Sequence, residues 1–118
     1  MKQILLISET IQEINRLRRY FDEGYAVKAV SSVITAQTII HKAKPDLIIF
    51  SLGSDFSRLF PFYTYIRTNS AFVDIPMIVI ADIVILKSLT ENVELKKSTI
   101  LSATVSKENL LACIEDYL

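Results

Sequence analysis

Hydrophobic positions along this 118-residue chain fall into two spacings. Ile4 to Ile7, Ala26 to Val30, Leu47 to Phe50, Met77 to Ala81 and Thr99 to Ala103 are short apolar or β-prone runs, the pattern of strands buried on both faces of a parallel sheet. Between them the apolar residues return every three or four positions. Ile14, Leu17 and Phe21 form one such set, followed by Ala36, Ile39 and Ile40, by Phe62, Tyr63 and Ile66, by Leu86, Leu89 and Val93, and by Leu110, Leu111, Ile114 and Leu118. Each set occupies one face of a helix, so the pattern predicts a helix after every strand.

Helix-start signals agree with the periodicity. Thr10 with Glu13 fits a capping box, Ser31 or Ser32 suits the start of the second helix, Pro61 the first turn of the third, and Ser106 the start of the last. Five alternations of strand and helix require right-handed crossovers, which place helices on both faces of one sheet. The expected fold is a three-layer α/β/α domain. Its five-stranded parallel sheet is doubly wound in the flavodoxin-like order 2-1-3-4-5, and it covers residues 1–118 without a repeat, linker or low-complexity segment.

Composition then removes several functions. Hydrophobic residues make up 51% of the chain and charged residues 22%, enough for one core and a solvated surface. Thirteen basic and thirteen acidic residues cancel, so binding of nucleic acid or membrane through bulk charge is not expected. The apolar run from Ile4 to Ile7 is too short for a signal peptide, and no stretch approaches the ~20 apolar residues of a membrane span, so a cytoplasmic location is expected. Cys113, the one cysteine, lies in the helical pattern of Leu110 and Ile114 and reads as a packed thiol with no disulfide. His41 has no second ligand nearby in sequence, and neither metal nor cofactor is expected. Arg16, Arg18 and Arg19, and later Lys96 and Lys97, read as solvated faces, with an acidic partner as the alternative.

In a doubly wound sheet the functional crevice lies at the carboxyl ends of the strands. Here those ends are Ser8 and Glu9, Ser51, Ala81 and Asp82, and Ala103. The connections leading into the strands carry Gly24-Tyr25, Lys44-Pro45-Asp46 and Asp74-Ile75-Pro76, with Ile66-Arg67 late in the third helix. Taken with the strand pattern, these motifs resemble the bacterial receiver domain of response regulators over nearly the whole chain. The resemblance implies that Ser8 and Glu9 stand where receivers keep two cation-binding acids, and Ser51 where they keep the phosphoacceptor aspartate. It places Ala81 at the hydroxyl-bearing switch residue, Ala103-Thr104 at a Lys-Pro pair, and Ile100 at the aromatic rotamer switch.

Phosphoryl transfer to a carboxylate needs that carboxylate, a cation to spread the charge of the equatorial oxygens, and a lysine to neutralise the remainder. All three are damaged in this sequence. A serine would need an adjacent base, for which no residue stands out, and Glu9 alone makes a poor Mg²⁺ site. Asp82 or Asp55 turning inward would supply a second acid, but solvated loop carboxylates are the simpler reading. Ser51 is either a small hydroxyl closing a strand end or a target for a Ser/Thr kinase, and the first reading needs no partner.

Ile80-Ala81-Asp82-Ile83-Val84-Ile85-Leu86 packs five large aliphatics into seven positions, where receivers usually run polar. A helix cannot bury all of Ile83, Val84, Ile85 and Leu86, so the run is either a contact surface or a longer strand and a loop folded over the pocket. Phe62 and Tyr63 belong to a buried face, Phe56 and Phe60 are placed to plug the pocket above Ser51, and Tyr65 should face solvent. The expected function is that of a pseudoreceiver: a signalling module, not an enzyme, acting through a protein partner or homodimer without aspartyl phosphorylation. The resemblance directs the contact to the surface of the fourth helix, fifth strand and last helix, with Leu86, Leu89, Val93, Ile100 and Tyr117. Because the chain ends in the last turn of its last helix, it reads as a stand-alone module or as the amino-terminal half of a regulator. The alternatives are a phosphoacceptor using an unusual acid such as Asp55, and a small-molecule sensor using the vacated pocket.

Overall fold

The computed structural model describes residues 2–8, 10–21, 24–52, 59–82 and 98–118, with positions 59, 60 and 98 described by backbone alone. Five strands, β1 (Lys2–Ser8), β2 (Tyr25–Val30), β3 (Leu47–Ser51), β4 (Met77–Ala81) and β5 (Ser98–Ser102), form one sheet in the order β2-β1-β3-β4-β5. Every pairing is parallel, with Ile4 opposite Val27 and Leu47, and Ile48 opposite Met77. The predicted doubly wound topology is therefore present. Helices α1 (Ile11–Arg18), α2 (Val33–Lys42), α3 (Leu59–Thr68) and α4 (Lys107–Tyr117) flank the sheet. The helix expected around Leu86 to Val93 falls outside the described residues, as do Glu9, Asp55, Phe56, Ile83, Val84, Ile85, Lys96 and Lys97.

Period-two alternation divides the core between two layers. Leu5 and Ile7 of β1, Ile48 and Phe50 of β3, and Met77, Val79 and Ala81 of β4 face α2 and α3, where Ala36, Ile40, Phe62 and Ile66 meet them. Ile4, Leu6, Leu47, Ile49, Ile78 and Ile80 face the opposite way, onto Leu17 and Phe21 and onto Leu110 and Ile114 of α4. All five residues of β3 and of β4 are buried, as expected for strands with helices on both sides. Ser8 and Ser51 continue the second alternation, which turns both toward the α1 layer.

The polar motifs brace the connections. Asp46 exchanges bonds with the start of β1: its carboxylate accepts from the Gln3 amide at 2.7 Å while its own amide donates to the Gln3 carbonyl at 2.8 Å. Arg67 Nη1 donates to the carbonyls of Val73 (3.2 Å) and Ile75 (2.7 Å), closing the turn between α3 and β4. Gly24 enters β2 with φ of 94°, a conformation that favours glycine. Ser32, of the two candidate serines, caps α2, and Ser106 caps α4, each accepting from the amide three residues on.

One aromatic side chain departs from expectation. Tyr65 is half-buried instead of facing solvent, because its hydroxyl is hydrogen-bonded to His41 Nε2 and its ring tilts against Phe72 at 6.4 Å. His41 is exposed and packs edge-on to Phe72, so the pair closes the outer side of α2 against α3. Cys113 is a half-buried free thiol against the α4 layer, and burial pushes its pKa up despite a hydrogen bond with Thr99.

The layer assignment predicts that Phe62→Ala, which empties a fully buried ring site, lowers unfolding free energy by about 3–5 kcal/mol in urea titrations. Ile34→Ala, at a position 77% exposed, should stay within about 0.5 kcal/mol of the parent. Equal effects from the two would contradict the assignment.

Candidate functional site

The strand ends converge where β1, β3 and β4 run out. Ser8 lies opposite Ser51 across the β1–β3 pairing, and at 2% and 3% exposure they are the buried polar residues among those described. The chain turns directly from β1 into α1, with Thr10 as N-cap, so the first turn of that helix sits over the serines. Glu13, on that turn, directs its carboxylate to the end of β3. The Ser51 hydroxyl donates to Glu13 Oε1 at 3.0 Å.

Glu13 is held in turn by Arg16 in a two-pronged contact, Nη2 to Oε1 at 2.5 Å and Nε to Oε2 at 3.1 Å. Arg16 Nη1 donates to the Tyr20 hydroxyl at 3.1 Å, and its guanidinium lies 5.8 Å from the centre of that ring. Its Nη2 also approaches the Ala103 carbonyl at 3.5 Å, while the Ala103 amide donates to the Ala81 carbonyl at 2.8 Å. A continuous polar path therefore runs from Ser51 through Glu13 and Arg16 to Ala103 and Ala81, tying α1 to the ends of β3, β4 and the β5 turn.

The electrostatics of this path are closed. The hydrogen bonds from Arg16 hold the Glu13 carboxyl below its ordinary value, partial burial opposes them, and the Ser51 hydroxyl adds to the lowering. The Arg16 pKa is raised by the same pairing. Among the described residues no buried side-chain nitrogen or oxygen lacks a partner. A carboxylate next to a serine hydroxyl is the geometry of general-base activation, but a base whose affinity for protons is lowered by an adjacent guanidinium is poorly matched to that work near neutral pH. The contact fixes the position of the Ser51 hydroxyl at the strand end.

Four of the residues singled out in the sequence, Ser8, Ser51, Ala81 and Ala103, are brought together; Glu9 and the pocket plug of Phe56 and the Phe60 side chain lie outside the description. Arg16 requires correction: it is half-buried and bonded into the site, because one turn of helix places it beside Glu13 and within reach of Ala103. The capping box is also half-formed. The Glu13 amide bonds to Thr10 Oγ1, but the Thr10 amide donates to Ser8 Oγ at 3.4 Å, which leaves the Glu13 carboxylate for Ser51. The missing neighbour for the Ser51 hydroxyl is thus Glu13, and the Glu13/Arg16 spacing of three on α1 was its signal. Asp82 follows β4, half-buried. Ile100 packs half-buried on the α3 layer and Tyr117 on the α4 layer, with the Tyr117 hydroxyl bonded to Thr99 of β5. No group of three His, Cys, Asp or Glu side chains able to hold a metal occurs among the described residues.

No protein-family model and no curated protein matches the chain. Solved structures do. The chemotaxis response regulator CheY4 of Vibrio cholerae superposes with a TM-score of 0.84 at 20% identity, over 100% of this chain and 99% of that one. The signal receiver domain of a signal transduction histidine kinase from Syntrophus aciditrophicus gives 0.80 at 16% identity, over 100% and 90%. A response regulator from Desulfuromonas acetoxidans gives 0.75 at 16%, over 98% and 95%. The chain has the receiver fold. These three structures share its fold over 90–99% of their own length, while identities this low leave function to be argued from the site. Among the described residues no helix is long and apolar enough to cross a membrane.

Because the folded Glu13 pKa lies below the ordinary 4.5, the stabilisation it brings is complete above about that pH and is lost as pH falls through the lower, folded value. The stability gap between the parent and Glu13→Gln, measured by urea unfolding, should therefore shrink as pH falls below about 4.5. A gap independent of pH would contradict the pairing.

Proposed function

We propose that this chain is a receiver-like signalling module of the two-component type that acts through contact with a protein partner or a second copy, without an aspartyl phosphate. One observation carries the reading: at the end of the central strand β3 stands Ser51, its hydroxyl already donated to Glu13, whose charge Arg16 already neutralises. Phosphoryl transfer needs an exposed nucleophile, a cation and a neutralising lysine. Here the nucleophile is a serine 3% exposed, and alanines stand at 81 and 103. Burial equally disfavours a Ser/Thr kinase, which must lay its substrate hydroxyl open to the transferred phosphate.

In this reading residues 1–118 act as one unit, a degenerate pocket of Ser8, Glu9, Ser51, Ala81 and Ala103 locked by α1, and not as an enzyme. The output surface is the β5 edge with Ile100 and Tyr117, extended by Ile83, Val84, Ile85, Leu86, Leu89 and Val93. A small-molecule ligand bonded to the Ser51 hydroxyl is disfavoured because Glu13 already accepts from it. The proposed location is cytoplasmic, with no direct contact to nucleic acid or membrane.

Incubation with acetyl phosphate and Mg²⁺ should leave the intact mass unchanged, for the parent and for Ser51→Asp alike, since the single restoration supplies neither the lysine nor the second cation-binding acid. A phosphoryl adduct on the parent that is lost in Asp55→Asn would overturn the reading in favour of an unusual acid.

A further inference from the structure

The charge of the chain is balanced overall but not locally. From Gly24 to Pro45 there is no aspartate or glutamate, while Lys28, Lys42 and Lys44 fall in that stretch. All three lysines are exposed, and none has an ion-pair partner among the described residues. Lys28 pairs with Leu5 in the β1–β2 register, at an alternate position to the buried Val30, so it lies on the α2 side of edge strand β2.

A cleft of about 100 Å³ opens there, between the end of α2 and the adjoining strands. Ile4, Leu5, Ile39, Ala43 and Pro45 supply its apolar lining, and Lys28, Lys42 and Gln3 its polar atoms. Asp46, the acid adjoining it in sequence, has a carboxylate oxygen engaged by the Gln3 amide. Clefts that take small ligands or cofactors run to about 300–1,000 Å³, so this one has the scale of a single side chain. Two unpaired cations beside an apolar hollow complement an aliphatic residue flanked by carboxylates. Nucleic acid fits less well: the lining holds neither arginine for phosphate forks nor an aromatic for base stacking.

We propose that this cleft is a docking site for an acidic segment of a partner protein, which seats one aliphatic side chain between Lys28 and Lys42. The site lies on β2, the edge of the sheet opposite β5, and so is independent of the output surface proposed above.

The test titrates the isotopically labelled 118-residue chain with the peptide Glu-Asp-Leu-Asp-Glu and follows amide shifts by NMR. Saturable shifts at Gln3, Lys28, Ile39, Lys42 and Ala43, weakened about tenfold or more by Lys28→Gln with Lys42→Gln, are the expected result. On the parent chain, the same peptide with alanine for leucine should also bind more weakly, a comparison that requires no variant to fold. Absence of saturation up to about 1 mM, equal affinity for the leucine and alanine peptides, unchanged binding by the double variant, or tighter binding of a DNA oligonucleotide at the same residues would each overturn the proposal.

Discussion

The strands β1, β3 and β4 are covered on both faces, and that burial governs what their carboxyl ends can carry. A charge placed there leaves water and must be neutralised within bonding distance, or its desolvation costs several kcal/mol. Receivers, by the family resemblance, meet this constraint with a cation and a lysine. This chain meets it from α1. The Glu13 carboxylate approaches the strand end already paired to Arg16, and the serine beneath it offers a neutral donor instead of a second negative charge. Removing either charged partner alone would leave the other half-buried and unmatched, so the two act as one element.

This substitution changes what the fold can do. In a receiver that accepts a phosphoryl group, the charge at the strand ends is variable, and its arrival is what the rest of the domain responds to. Here a carboxylate is built in beside the end of β3, and among the described residues every buried side-chain nitrogen and oxygen has a partner. On the reading proposed above, signal enters or leaves through surfaces: the β5 edge on one side of the sheet and the lysine-lined cleft near β2 on the other.

Much of the fold was legible in the sequence because burial writes itself into periodicity. The unbroken apolar runs of β3 and β4 and the three-to-four spacing of Ala36 and Ile40 follow directly from which faces are covered, and the caps Thr10, Ser32 and Ser106 from which amides need partners. The site was half legible. Strand ends are fixed by topology, which is why Ser8, Ser51, Ala81 and Ala103 could be listed together. The Glu13/Arg16 spacing marks a helix ion pair but not the direction it faces, because Ser51, which Glu13 meets, lies 38 residues away in sequence. Tyr65 failed for a similar reason: its neighbours His41 and Phe72 come from separate elements and share no local pattern with it.

A double-mutant cycle on Ser51→Ala and Glu13→Ala, with unfolding free energies from urea titration at neutral pH, tests the α1 lock most directly. If Glu13 is held to the strand end through Ser51, the two substitutions are coupled, and their combined effect departs from the sum by roughly 0.5–3 kcal/mol. Additivity within about 0.3 kcal/mol would show that the two side chains act independently and would contradict the lock.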